Sequence, residues 1–180
     1  FDSWITGFDD ATKAFEEDYD GTIWFSHWIK GLFKLKLDME SKSITESLFM
    51  SRNNGFPEDW SNIPLEVNNK IIFTTARGIY GYDRYSGKAF PLEIINSMFE
   101  NPPQGASVFF SPYGYTYFSS SSLQAISYKD QEGRTIVDSL SLKSLTAKRL
   151  QGFEDIRCLS EKHILVNTNE GFSLVDMDML

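Results

Sequence analysis

An acidic run, two histidines and one cysteine are the residues in this 180-residue chain whose types could do chemistry. The run Glu16-Glu17-Asp18-Tyr19-Asp20-Gly21 sets oxygen ligands at alternate positions ahead of a glycine turn, like the first half of an EF-hand loop. Calcium in such a loop needs a bidentate Glu at the twelfth position, and that position holds His27. The run therefore reads as a solvated hairpin turn, for which Asp-Gly is a strong local signal. Cys158 lies near His163 in sequence, but one thiol and one imidazole without further partners make neither a zinc site nor a nucleophile pair. His163 is expected as an exposed hairpin residue. Gly-x-Ser-x-Gly, Gly-x-Gly-x-x-Gly, His-Glu-x-x-His and Cys-x-x-Cys are all absent. Carboxylates are plentiful, yet no spacing singles out a glycosidase pair. The residues thus predict no metal, no cofactor and no catalysis in this segment.

The elements that must position any site follow from an internal repeat. A polar turn, a β-rich run, a few polar residues, a Gly and a second β-rich run recur. The pattern is Asp20-Gly21-Thr22-Ile23-Trp24-Phe25-Ser26 with Gly31-Leu32-Phe33-Lys34-Leu35. It returns as Asn69-Lys70-Ile71-Ile72-Phe73-Thr74-Thr75 with Gly78-Ile79-Tyr80-Gly81-Tyr82-Asp83, and as Lys162-His163-Ile164-Leu165-Val166-Asn167-Thr168 with Gly171-Phe172-Ser173-Leu174-Val175-Asp176. Ile71 follows Ile23 by 48 residues and Ile164 follows Ile71 by 93, so a further copy is expected midway. There the chain reads Gly114-Tyr115-Thr116-Tyr117-Phe118-Ser119, then Leu123-Gln124-Ala125-Ile126-Ser127-Tyr128, with Ser122 in the place of Gly.

Four repeats near 14–50, 62–92, 106–140 and 154–180 predict an all-β chain of about four antiparallel sheets. A period of roughly 40–50 residues per sheet is that of β-propeller blades, and four copies are few for a closed ring, so a partial propeller is expected. Alternation should point Phe33, Leu35 and Leu37 one way and Lys34 and Lys36 the other. Leading strands are expected at 14–17, 65–67, 108–111 and 156–159, outer strands at 44–49, 89–92 and 135–140, and one short helix within 92–99. Residues 1–6 are expected either to complete the last sheet or to leave it to another copy. A chain opening at Phe1 reads as a processed or excised piece.

Loops at blade ends usually hold propeller ligands. His27 and Trp28 lengthen one such loop, and Trp28 either packs on the neighbouring blade or stacks its indole on a sugar ring. Trp60, Arg77 and Tyr113 occupy comparable loop positions and complete the candidate ligand-binding set. Aromatics reach 15% of the chain, which favours strands. The formal charge is −8, from 17 Lys and Arg against 25 Asp and Glu, so binding to a phosphate backbone is not expected. No apolar run is long enough to cross a membrane as a helix.

The stretch Asp20-Gly21-Thr22-Ile23-Trp24-Phe25-Ser26 with Gly31-Leu32-Phe33 resembles the two-component regulator propeller repeat of bacteria, which runs Asp-Gly-x-Ile-Trp, then Gly-Thr and Gly-Leu. Asn54-Gly55-Phe56-Pro57 resembles the turn that opens the next blade, and Gly78-Ile79-Tyr80-Gly81-Tyr82-Asp83 and Gly171-Phe172-Ser173-Leu174-Val175-Asp176 resemble its strands. Here Ser26-His27 stands where the family has Gly-Thr, and the Tyr-rich domain that follows such propellers is absent. The resemblance implies a periplasmic or extracytoplasmic sensing segment of a membrane-anchored, homodimeric parent. It also implies a histidine kinase or helix-turn-helix DNA-binding output and glycan-derived ligands such as oligosaccharides. Two other readings stand beside it: a glycan-active propeller enzyme, and a protein-interaction propeller outside signalling.

Overall fold

The computed structural model describes residues 5–8, 11–27, 29–67, 69–150 and 155–180. Strands dominate. In chain order they are β1 (Ala14–Glu17), β2 (Thr22–His27), β3 (Gly31–Asp38), β4 (Ser43–Met50), β5 (Ile63–Val67), β6 (Lys70–Thr75), β7 (Gly78–Asp83) and β8 (Lys88–Pro91). After the one-turn helix α1 (Glu93–Asn96) come β9 (Ser107–Phe110), β10 (Thr116–Ser119), β11 (Gln124–Lys129) and β12 (Thr135–Asp138). A second short helix, α2 (Lys143–Thr146), precedes β13 (Ile156–Cys158), β14 (His163–Thr168) and β15 (Gly171–Asp176). These strands form four antiparallel sheets in simple up-and-down order: β1–β4, β5–β8, β9–β12 and the three-stranded β13–β15. The chain divides into two compact units, Phe1–Gly105 with the first two sheets and Ala106–Leu180 with the last two.

Each central hairpin closes through the same device. His27 Nδ1 accepts the backbone N–H groups of Ile29 and Lys30, both at 3.0 Å. Thr75 Oγ1 accepts from Arg77 N, Ser120 Oγ from Leu123 N and Thr168 Oγ1 from Glu170 N. The side chain at, or in the third sheet just past, the end of the second strand thus satisfies turn donors that would otherwise be orphaned. In the third sheet Ser120 N donates to Leu123 O, so Leu123, not Ser122, takes the place of Gly31, Gly78 and Gly171. Gly31 has a positive φ of +91°, and a Cβ there would lie 2.1 Å from the Asp59 carbonyl oxygen.

The first unit buries one cluster between its sheets. Trp24, Leu32 and Met50 pack against Phe56, Ile71, Phe73 and Ala89. The Trp24 ring meets Phe73 and Tyr82 edge-on at 5.0 and 4.8 Å. On the other face of the first sheet Phe25 stacks on Phe33 at 5.2 Å, and Phe8 covers both. The first sheet is therefore apolar on two faces, and the alternation expected for β3 holds: Phe33 lies on the Phe25 face and, on the opposite face beside Trp24, lies Lys34. Its stem lies within the structure and its ammonium sits over the Trp24 and Tyr82 rings, 5.7 and 5.5 Å from their centroids. In the second unit Tyr115, Tyr117 and Ile126 pack against Ile156, Ile164, Val166 and Val175, with Leu142 at the edge.

Two expectations about segments change. Thr6 pairs in parallel with Ser43, on the outer strand of the first sheet, where its N–H reaches Lys42 O and its carbonyl receives Ile44 N. Residues 1–4, the rest of the strand expected to complete the last sheet, lie outside the described residues. His163 is half-buried at the start of β14, its Nδ1 3.1 Å from Ser160 Oγ, because the preceding turn folds back over it. The helix expected within 92–99 is α1, and Asn96 on it uses both ends of its amide on the Ile79 backbone at 2.9 Å.

Two measurements test this packing. Gly31→Ala should lose roughly 1–3 kcal/mol in urea unfolding through a strained φ and a displaced Asp59 carbonyl. Gly21→Ala, where a Cβ meets nothing within 4 Å, should lose only its backbone part. In the second unit burial, with a hydrogen bond to Cys158, pushes the Tyr115 hydroxyl up to about 12, and burial likewise raises Tyr117. The fold thus favours the neutral phenols. The Tyr115 contribution is complete below the ordinary tyrosine value near pH 10 and is lost as pH rises from about 10 to 12, and that of Tyr117 persists further into alkali. Tyr115→Phe should flatten that alkaline limb.

Candidate functional site

The first hairpin of the first sheet and the last hairpin of the second meet at a cleft of about 410 Å³. Tyr19 and Asp18 come from the β1–β2 turn. Arg84 and Tyr85 come from the β7–β8 turn, and Tyr82 and Phe90 from the strands that turn joins. Sequence alone explains both turns. Gly21 supplies a positive φ after Asp18-Tyr19-Asp20, and Asp83 caps the other by accepting from Tyr85 N and Ser86 N at 3.0 and 3.3 Å.

The two turns are tied by charge. Arg84 pairs through Nη2 with the buried Asp18 and through Nη1 with Asp20, the latter at 2.6 Å. Asp18 also accepts from Trp24 Nε1 at 3.2 Å and from Tyr19 N at 2.9 Å. The Arg84 guanidinium lies 4.0 Å from the Tyr19 ring centroid. Asp18 and Asp20 of the half EF-hand pattern are thus spent on Arg84, 64 residues beyond Asp20. Partial burial raises the Asp20 carboxyl, but hydrogen bonds from Thr22 and the charge of Arg84 outweigh it, leaving the group below the ordinary Asp value.

The arrangement offers contacts that could bind a ligand. Tyr19 and Tyr85 are strongly exposed and Phe90 partly so, which sets aromatic faces beside a fixed ionic group. Elsewhere in the unit, Glu16 is pushed above the ordinary Glu value by burial and then by the charge of Glu66. Among the described residues no group of three or more His, Cys, Asp or Glu could hold a metal ion.

The residues expected from sequence fall elsewhere. His27 and Arg77 belong to second-to-third-strand turns, at the other end of their sheets from the cleft. The His27 ring is occupied in capping its turn. Arg77 lies 3.6 Å from Glu58, which also binds Arg52, so Arg77 adjoins the loop that carries Trp60, an indole 54% exposed. Trp28 lies outside the described residues. Tyr113 is exposed in the first hairpin of the third sheet, not a position equivalent to Arg77, and its N–H is held by Ser111 Oγ at 3.0 Å. Tyr19, Arg84 and Tyr85 escaped the sequence reading because their signal was a pairing of two Asp-containing turns in successive repeats.

Neither a protein-family model nor a curated protein matches this sequence. Among solved structures, the chain is similar to the crystal structure of an extracellular domain assigned to a one-component system of B. thetaiotaomicron. The TM-score is 0.58 at 14% identity, covering 92% of this chain and 22% of that one. The likeness establishes a shared fold over a stretch much shorter than the neighbour. Among the described residues no helix is long and apolar enough to cross a membrane.

Breaking the clamp should be measurable. Arg84→Ala leaves the Asp18 carboxylate buried without its cation. It should cost near the low end of the roughly 3–5 kcal/mol typical of a broken buried pair, since Arg84 itself keeps 28% of its side chain exposed. Adding Asp18→Asn should recover much of the loss. The Asp20 contribution is complete above the ordinary Asp value near pH 4 and falls away as pH drops through its lowered value. Asp20→Asn should therefore flatten the acid limb of a stability–pH curve.

Proposed function

We propose that this chain is a stretch of the extracytoplasmic, ligand-sensing region of a bacterial transmembrane signalling regulator. On this reading its four sheets are successive blades of a β-propeller, it binds without catalysing, and the parent acts as a homodimer. The observation that carries the proposal is the repetition itself: four up-and-down antiparallel sheets in sequence order, closed by equivalent hairpin devices. The shared fold with an extracellular domain assigned to a one-component system supports the signalling context, as do the repeat residues Asp20 to Gly31.

The cleft is the proposed ligand site. Tyr19 and Tyr85 offer flat faces for the C–H faces of a sugar, and Arg84 and Asp83 offer directional partners for hydroxyls. Trp60 with Arg77 provides a second aromatic contact at the other end of the unit. A ligand that prefers one placement of two sensor subunits shifts their equilibrium toward it, and the difference in affinity is the signal.

The test is a thermal-shift screen of the chain against an oligosaccharide panel. A ligand at a hundredfold its Kd adds about 2.7 kcal/mol, a rise of roughly 5–10 °C for a domain of this size. Tyr19→Ala with Tyr85→Ala should abolish the shift while leaving the unliganded midpoint within about 2 °C, as expected for exposed side chains. Turnover of a panel sugar, lost in Glu16→Gln, would instead establish the enzyme reading. A panel without any shift would remove the glycan ligand.

A further inference from the structure

We infer, resting on the sensor reading, that the cleft is a split within the second sheet. The split holds the sugar ring at the end of a saccharide chain through the main-chain groups of Ile71 and Tyr82.

The ladder between β6 and β7 runs from Thr75 and Gly78 at the turn to Phe73 and Tyr80, and there it stops. Both strands go on, β6 back to Lys70 and β7 forward to Asp83. Each stays paired on its other side, residues 70–72 with β5 and residues 81–83 with β8. Continued register would set Ile72 opposite Gly81, Ile71 opposite Tyr82 and Lys70 opposite Asp83. All six of those residues line the cleft. The equivalent hairpins of the first and fourth sheets stay zipped through this stretch, with Ile23 facing Leu35 and Ile164 facing Val175.

Neighbouring bonds fix where the main chain points at the split. Ile79 gives its N–H and C=O to the Asn96 amide, and Leu92, just past β8, donates to the same carbonyl, so Ile79 faces away from β6. Successive residues of a strand alternate sides, which turns Tyr80 and Tyr82 toward β6. Pro64, opposite Phe73, has no N–H to give. Phe73, and with it Ile71, is therefore turned toward β7. Ile71 and Tyr82 thus aim two N–H and two C=O groups into the gap without the reciprocal bonds that Ile23 and Leu35 exchange.

Donors and acceptors on both walls suit a partner whose groups do both, and a hydroxyl donates and accepts. Gly81 leaves room for it. The matching positions counted from the other hairpin turns are Lys34, Ile126 and Leu174, and a glycine inside a strand marks close approach by another group. Phe90 closes over this residue, its ring 2.9 Å from where a Cβ would stand. Phe90 on one face of the sheet and Tyr82 on the other line the same gap. The C–H faces of a sugar ring would meet these aromatic rings while its hydroxyls meet the main chain. An inserted peptide strand is the poorer occupant. The split is shut at one end by the Phe73 and Tyr80 pair, so a strand could enter it but not pass through, whereas a chain end needs no way out.

Residue-resolved amide hydrogen exchange on the 180-residue chain is the test. Without ligand, the Ile71 and Tyr82 amides should exchange at least about tenfold faster than those of Ile23 and Leu35. Equal protection of the two pairs overturns the split. Methyl pyranosides and disaccharides of glucose, galactose, mannose and xylose are then added one at a time. A sugar that raises the unfolding midpoint should slow Ile71 and Tyr82 by about tenfold beyond any slowing at Ile23 and Leu35. A raised midpoint without that selective slowing overturns recognition by the split and leaves the sensor reading standing. A series in which no sugar raises the midpoint overturns the saccharide end. Selective slowing by a tetrapeptide of alternating threonine and valine, and by no sugar, also overturns it and assigns the split to a peptide strand.

Discussion

A β-sheet whose central strands are apolar on both faces cannot stop at one layer of cover, and that constraint governs this molecule. In the first sheet Trp24 and Leu32 are sealed against the second sheet while Phe25 and Phe33 lie under Phe8. Alternation along a strand sends neighbouring side chains to opposite faces, so a run such as Ile23-Trp24-Phe25 obliges the chain to supply two partners at once. Within each unit a second sheet of the same kind is the economical answer, because it covers a face of the first.

The same stacking creates the polar centre of the first unit. Once Trp24 is buried between sheets its indole N–H needs an acceptor, and Asp18 in the adjoining turn provides it. A buried carboxylate then needs a cation, which arrives from the second sheet as Arg84. The chain of requirements runs from a packed ring to a fixed guanidinium beside Tyr19. It explains how a cleft at the rim of two sheets acquires a rigid, oriented polar wall. Lys34, held over Trp24 and Tyr82, belongs to the same arrangement.

Much of the strand pattern was legible because the repeat is written in local signals. Turn residues such as Asp20-Gly21 and the Gly at positions 31, 78 and 171 mark hairpins by backbone need alone, and β-rich runs between them mark strands. In the third repeat the residue pattern alone sets the turn one residue out of register. A Ser-rich turn capped by Ser120 does the work of the Gly elsewhere, and that hydrogen bond leaves no compositional trace. The cleft was not legible, since Asp18 and Asp20 look like ligands for a metal until the distant Arg84 is seen to occupy them. His27 looked like a loop residue for function and proved to be a turn cap.

By itself, then, the sequence determined the class of structure: period, alternation and turn chemistry are local, act within a few residues and require sheets of this kind. Tertiary structure alone decided which face of each sheet is buried, which aromatic rings stay in solvent and where charges meet. Those outcomes depend on contacts between residues such as Asp18 and Arg84, far apart in the chain. Desolvation, which gives such contacts their weight, exists only after the sheets have closed on one another.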